Sequence, residues 1–366
     1  MPETRTDKGG RKALSSPLHP CAGCGASLVY APGTIVLRCT DCGQEQRIDR
    51  PDREVAEHDY AAFLAKPRVP STATHLLACP GCEARTESDA ISTVCQFCGA
   101  ALIADTTGDA RIAPEAVLPF ALARDSARDS LRTWVRSRWL APNRLKRVTD
   151  AESMKSTYLP HWTFDAETVS DYTGRRGEHH WVTESYTENG ESKTRRVRKT
   201  RWHSAHGTVS RRFDDVLVAA TAQVPRERLD KLTPWPLERA VPFEAAYVAG
   251  HHSLRYDSEP QAGLEEAKAA MAEAIEDDCR ADIGGDERRV LSVDTRYSDI
   301  TFKLVLLPVW IGCYLYGGRT YQVMINGVSG EVHGDRPYSA VKIILLGLAI
   351  VALVAGGVWL YESSRA

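Results

Sequence analysis

The chain has 366 residues, with 46 Lys and Arg against 48 Asp and Glu and a net charge of −2. That balance excludes binding to nucleic acid through a global basic excess, and the length allows two or three small domains with real cores. Eight of the ten cysteines fall in four C-x-x-C pairs, which in a reducing compartment read as metal ligands rather than disulfides.

Residues 1–20 lack the apolar core of a signal peptide and read as a disordered leader. The first zinc ribbon spans 21–48. Its pairs, Cys21-Ala-Gly-Cys24 and Cys39-Thr-Asp-Cys42, bracket two short strands around a turn at Pro32-Gly33. Two such pairs supply four tetrahedral thiolates and leave no open position, so the predicted zinc is structural. Gly25 and Gly43 follow the second cysteine of each knuckle, where a positive φ lets backbone N–H groups face the sulfurs. The linker 49–78 predicts a helix from Asp52 to Leu64, stopped by Pro67 and Pro70. The second ribbon, 79–104, carries Cys79, Cys82, Cys95 and Cys98, with Glu83 where the first has Gly25. Two structural Zn²⁺ are expected, supplying most of the folding free energy of these small modules.

From about Val117 to Arg336 the pattern predicts an α+β body. Ser126 to Leu140 reads as an amphipathic helix, with Leu131, Trp134, Val135 and Trp139 on one face and Arg128, Arg132, Arg136 and Arg138 on the other. A strand over Tyr158–Phe164 is followed by a predicted turn at Tyr172–Gly177. Strands near Glu178–Thr187 and Ser192–Trp202 flank the turn signal Asn189-Gly190, and Phe213 to Val224 is a further apolar segment. Pro260 to Ile283 predicts a second helix, with Leu264, Met271, Ile275 and Cys279 at helical spacing. Leu307-Pro308-Val309-Trp310 then repeats Leu159-Pro160-His161-Trp162, and Tyr316-Gly-Gly-Arg319 repeats Tyr172-Thr-Gly-Arg175. A duplicated unit follows, with halves 117–224 and 240–336, closed by a hairpin around Asn326-Gly327.

Val341 to Tyr361 carries one charge, Lys342, in 21 residues. As a helix it would rise about 31 Å, enough to cross a bilayer core of about 30 Å. With Arg336 and Lys342 before it and Arg365 after it, it predicts a single-pass tail anchor in the cell inner (cytoplasmic) membrane, with the N-terminal body in the cytoplasm.

No phosphate-binding, zinc-protease or serine-hydrolase motif is present, so no enzyme is expected. Cys279 and Cys313 lie in apolar patterns and read as core. His179-His180, His203-x-x-His206 and His251-His252 form a metal site only if the fold makes them converge. The basic strand Lys193, Arg195, Arg196, Arg198, Lys199 and Arg201 is a candidate anion-binding segment for nucleic acid or anionic headgroups, with Trp181, Tyr186 and Trp202 nearby. The competing reading is a solvated hairpin face balanced by Glu178, Glu184, Glu188 and Glu191.

Several motifs in order carry a resemblance: C-x-x-C-G at Cys21–Gly25, His58-Asp59-Tyr60, Trp139–Asn143, Tyr158–Trp162, Phe213–Val218, Leu307–Trp310 and Met324–Gly330. The chain resembles a bacterial family of membrane-anchored double zinc-ribbon proteins, often labelled primosomal protein N' (replication factor Y)/superfamily II helicase-like. The resemblance implies eight zinc thiolates and a scaffolding role at the membrane, with membrane-stress or SPFH-type proteins as partners. The helicase label finds no nucleotide-binding motif here. The sequence therefore predicts a tail-anchored zinc-ribbon adaptor that tethers protein partners. The alternative is a membrane-held nucleic-acid-binding protein using strand 193–201.

Overall fold

The computed structural model describes residues 14–15, 21–49, 52–65, 75–78, 85–88, 91–94, 101–103, 112–138, 154–188, 191–316, 319–335 and 339–363. Strand β1 (Leu14–Ser15) precedes a three-stranded antiparallel meander, β2 (Leu28–Tyr30), β3 (Val36–Cys39) and β4 (Glu45–Arg47). Next come β5 (His58–Asp59) and the short helix α1 (Tyr60–Leu64). The helix expected from Asp52 thus begins only at Tyr60, where the Asp59 carboxylate accepts from the Ala62 N–H at 2.6 Å. The stretch before it is committed elsewhere: Arg53 bonds to Glu115, and Glu57 to Lys303.

Strands β6 (His75–Ala78) and β7 (Arg85–Ser88) pair antiparallel, and β1 joins β6 in parallel. Leu14 and Ser15 therefore belong to a sheet, not to a disordered leader; the rest of 1–20 lies outside the described residues. Strands β8 (Ser92–Val94) and β9 (Ala101–Ile103) form another hairpin. The four cysteines of the second ribbon fall outside the described residues.

The remaining elements are β10 (Ala116–Val117), α2 (Arg124–Ser137), β11 (Lys155–Glu188), β12 (Glu191–Ala219), α3 (Arg226–Leu229), β13 (Val241–Pro242), α4 (Ala245–Val248), β14 (His252–Ser253), α5 (Pro260–Ile283), β15 (Glu287–Tyr316), β16 (Arg319–Asn326), β17 (Val332–Gly334) and α6 (Ala340–Ser363). Helix α2 starts two residues before the predicted Ser126, and Trp139 and Leu140 lie outside the described residues.

Three of the strands, β11, β12 and β15, are far longer than the sequence suggests. β11 and β15 pair antiparallel from Lys155 opposite Ile311 to Gly177 opposite Glu287, and Leu159 faces Leu307. The two Leu-Pro-x-Trp segments thus cross one another. β14 runs parallel to β11 at Tyr158–Ser253, and β10 runs parallel to β15 at Val117–Leu306. Each long strand then doubles back, β11 into β12 and β15 into β16. The order of short strand, helix, long strand and return strand occurs twice about the Leu159–Leu307 crossing.

The predicted turn at Tyr172–Gly177 is overturned. Those residues are interior to β11, with Tyr172 between Gly207 of β12 and Val293 of β15. Its glycines serve close packing instead: a Cβ on Gly174 would meet Ile283 Cδ1 at 2.6 Å. The counterpart residues Tyr316 and Arg319 end β15 and begin β16, so the likeness between the halves stops at that point.

One face of the sheet is covered by α5. Leu264, Ala267, Met271, Ile275, Cys279 and Ile283 recur every three or four residues and bury themselves against Trp162, Phe164, Phe213 and Phe302. Helix α2 places Ala127, Leu131 and Val135 in the cluster that holds Val323, Ile325 and Val332. On the far side, Leu159, Val309 and Met324 meet Val224, Leu229 and Leu232.

The C-terminal expectation is corrected as well. Helix α6 exposes Ile344, Leu345, Leu348 and Leu353 to solvent. Among the described residues no helix is long and apolar enough to cross a membrane. The predicted fold class with its terminal span at 341–361 therefore gives way to a mixed, sheet-rich body. The tail anchor, the membrane as partner and the inner-membrane location do not carry over with it.

Leu159 is fully buried at the centre of the crossing. Leu159→Ala should destabilise the fold by about 2–5 kcal/mol through lost transfer energy and a residual cavity. The check is the urea midpoint; an unchanged midpoint would show that this crossing is not the core.

Candidate functional site

The four cysteines of the first ribbon converge. β2 and β3 bring the two knuckles together, and all four Sγ atoms lie within 4.8 Å of one another. Cys21 Sγ is 3.5 Å from Cys42 Sγ, and Cys24 Sγ is 3.4 Å from Cys39 Sγ. Tetrahedral thiolates at about 2.3 Å from zinc would be about 3.8 Å apart, so the donor set fits that ion. Gly25 has φ 76° and Gly43 φ 73°, turning each knuckle so that its N–H closes onto the carbonyl of Cys21 or Cys39. The Cys42 N–H points at Cys39 Sγ from 3.5 Å. That backbone donor is the main reason the Cys39 thiol is lowered to about 6. At Cys24 the Ala26 N–H also lowers the thiol, but the surrounding cysteines outweigh it and push the value to about 12. A metal cation would displace these protons and take the place of the thiol contacts.

The ribbon is built into the body. The Tyr30 N–H donates to the Ala249 carbonyl at 3.0 Å, and the Gly33 N–H to the Phe120 carbonyl at 2.7 Å. The Tyr30 hydroxyl donates to the carbonyls of Thr34 (3.0 Å) and Phe120 (3.3 Å). His251 Nε2 lies 3.3 Å from the Tyr30 carbonyl; a carbonyl only accepts, so the proton is on Nε2. The His251 ring stacks on Phe120, with centroids 5.0 Å apart, and Phe120 in turn meets Tyr158 and Trp310. Gly250, at φ 80°, clears the way for Val29: a Cβ there would lie 2.6 Å from Val29 Cγ1. Cys21, Cys39, Leu28 and Leu37 consequently share one core with Phe120, Tyr158 and Trp310.

Burial lowers both His251 and His161 to about 4. His161 Nδ1 is paired with the Leu159 carbonyl at 3.1 Å. The histidine pairs do not converge. His179 bonds to Glu287, His203 lies near Glu178, and His251 is part of the aromatic core. Among the described residues no histidine belongs to a group of three possible metal ligands. Cys279 is in the core of α5, and its thiol is raised by burial; the Cys313 side chain lies outside the described residues.

The basic strand 193–201 is one side of a two-stranded arm. Beyond Gly177 the partnership with β15 ends, and β11 and β12 continue as a pair from Glu178–Arg201 to Glu188–Glu191. Glu184 takes two of the cations, Lys199 at 2.7 Å and Arg195 at 3.6 Å. These contacts hold the Glu184 carboxyl below its usual range, Lys199 foremost. Arg195 also lies over Tyr186, and Arg196 over Trp181.

One cluster was not predicted. Lys303 is buried and holds Glu57 and Asp215 together, with Asp215 Oδ1 2.5 Å from Nζ. Asp165 completes the group by accepting from the Asp215 N–H at 2.7 Å. Burial lowers the Lys303 ammonium, but Asp215 and Glu57 outweigh it and hold it above the ordinary range. At Glu57 burial wins and raises the carboxyl. The three carboxylates lie close enough to hold a metal, but the Lys303 ammonium is the cation there. Phe213-Asp-Asp-Val216 carried the only sequence signal, and the partners come from segments far apart in the chain.

The chain is 26% identical over 354 residues to "Uncharacterized protein YdjG" of Bacillus subtilis (strain 168), covering 93% of this chain and 98% of that protein. No family model matches the chain, and no solved structure matches it.

Two outcomes are expected. Cys39→Ser should remove one metal ion per chain and lower the melting temperature, measured by elemental mass spectrometry and calorimetry on the same sample; full metal content would refute the ligand set. His161 and His251 have folded-state values below their unfolded value of about 6.5, so the unfolded chain binds more protons between pH 6.5 and 4. Stability is then complete above about pH 6.5 and falls as pH drops toward 4, by up to about 3 kcal/mol for each histidine. Urea titrations across that range should show the fall, and His251→Gln should remove about half of it, leaving the His161 part.

Proposed function

We propose that the protein is a non-catalytic scaffold for protein partners, stiffened by structural zinc at Cys21, Cys24, Cys39 and Cys42. A second zinc at Cys79, Cys82, Cys95 and Cys98 belongs to the same reading, drawn from the spacing of those residues. The single observation that carries the proposal is the fusion of the four-cysteine ribbon with the body core through Tyr30, Phe120 and His251. A closed four-thiolate site supplies rigidity and no reactive position. A ribbon embedded on one side in its own body uses that side for bracing. The nucleic-acid reading is weaker, because Arg195 and Lys199 are already engaged by Glu184.

The test is cross-linking in the native host followed by purification of the full-length protein, with Cys21→Ser/Cys24→Ser run beside it. Wild type should carry zinc and recover specific proteins, and the variant should lose both. Recovery of nucleic acid in place of protein, or the same partners with and without zinc, would overturn the proposal.

A further inference from the structure

The two-stranded arm has two faces of different character. Directly opposed residues of an antiparallel pair project to the same side. Trp181 opposes Arg198 and Thr183 opposes Arg196, so one face carries Trp181, Arg196 and Arg198. The other residues of that face within 179–187 and 192–200 are His179 and serines or threonines. None is acidic, and Glu287 of β15 meets the face only at its base, through His179 and Thr200. Over the whole arm, 178–188 and 191–201, the register assigns the opposite face Glu178, Glu184, Glu188 and Glu191 with Lys193, Arg195, Lys199 and Arg201, four charges of each sign, and Glu184 pairs with both Arg195 and Lys199. The positive excess of the arm therefore lies on the tryptophan face.

That face is also open. Trp181 is 60% exposed, with the Arg196 guanidinium 5.6 Å from its ring centre. Arg198 has no ion-pair partner among the described residues. Beyond Gly177 neither strand has a second neighbour strand among the described residues, so backbone donors and acceptors line both edges of an arm about 36 Å long.

We propose that this face of the arm docks an extended, acidic segment of another protein. The proposal rests on the scaffold reading and names the surface and chemistry of its partner. Arg196 and Arg198 are two residues apart on one strand, about 6.7 Å, the interval between alternate side chains of any extended peptide. Carboxylates at alternate positions of such a segment meet both guanidiniums, and its backbone pairs with an open edge, as in strand addition. Exposed tryptophan flanked by arginine is the composition of protein-binding hot spots. Nucleic acid fits less well, because two arginines release counterions from only about two phosphates, too few for firm backbone binding.

The test uses the full-length, zinc-loaded protein and a fluorescent peptide of alternating Glu and Thr, with a Lys-Thr peptide and single- and double-stranded DNA as competitors. The Glu-Thr peptide should bind, and the Lys-Thr peptide should not. Arg196→Ala/Arg198→Ala should weaken binding by about tenfold or more, as should Trp181→Ala, with circular dichroism and zinc content unchanged. Arg195→Ala/Lys199→Ala, on the opposite face, should change affinity by less than about threefold. Equal affinity in the Arg196/Arg198 variant, an equal loss in the Arg195/Lys199 variant, or DNA displacing the peptide at lower concentration would overturn the proposal. Host cross-linking separates the two readings: partners kept by the Arg196/Arg198 variant but lost with the zinc would sink the arm and spare the scaffold.

Discussion

The antiparallel ladder between β11 and β15 is the axis on which the large sheet of the body is built. Leu159 against Leu307, near one end of the ladder, is fully buried, and the two outer edges of the ladder are shared among other strands. Along β11 the edge is taken by β14 and then β12; along β15 it is taken by β5, β10 and then β16. Each half lends its short strand to the other: β10, which precedes α2 and β11, runs parallel to β15, and β14, which precedes α5 and β15, runs parallel to β11. Because strand side chains alternate, one ladder serves two cores, with Trp162 and Phe302 facing α5 while Leu159 and Val309 face the opposite side. The price of so long a ladder is its polar content, and the fold meets it with pairing: Lys303 with Glu57 and Asp215, and His161 with its own backbone.

The ribbon depends on that ladder as much as on metal. A four-thiolate module of this size has too little apolar area to hold itself together. Here it gains a second support, because Tyr30 and Val29 are inserted where the two halves meet, against Phe120, Tyr247 and His251. Chain entry into the body and the direction of β10 are thereby fixed by the same contacts that orient the cysteines. A metal held by these cysteines would act on the same unit as the core.

The arm is the opposite case. Past Gly177 the third strand and the covering helix are gone, and the pair continues with both faces in solvent. Isolated two-stranded hairpins are marginal. Cross-strand ion pairs at Glu184 and cation–ring contacts at Trp181 and Tyr186 take over from a core. Such contacts leave side chains accessible in a way that core packing does not.

The sequence by itself determined the local facts. Cysteine spacing marked the first metal cluster because the knuckle is a short-range geometry; the same spacing marked a second, whose cysteines lie beyond the described residues. Helical periodicity marked α5 because Leu264, Met271, Ile275 and Cys279 repeat on one side. Asn189-Gly190 suggested a change of direction because that dipeptide favours a tight turn; the two residues lie outside the described ones, and Glu188 stands opposite Glu191 on either side of them. Strand length, by contrast, was decided by neighbours. Tyr172–Gly177 looked like a turn until β12 and β15 were laid on either side, and Asp52–Glu57 looked helical until Arg53 and Glu57 were drawn to Glu115 and Lys303. The apolar run at 341–361 also read as a span on local grounds, and no helix among the described residues meets that requirement. Only the tertiary structure decided that the ribbon is part of the body and that the arm has one neutralised face and one basic face. Both follow from which distant residues stand opposite one another, and register of that kind is a long-range property that no local pattern encodes.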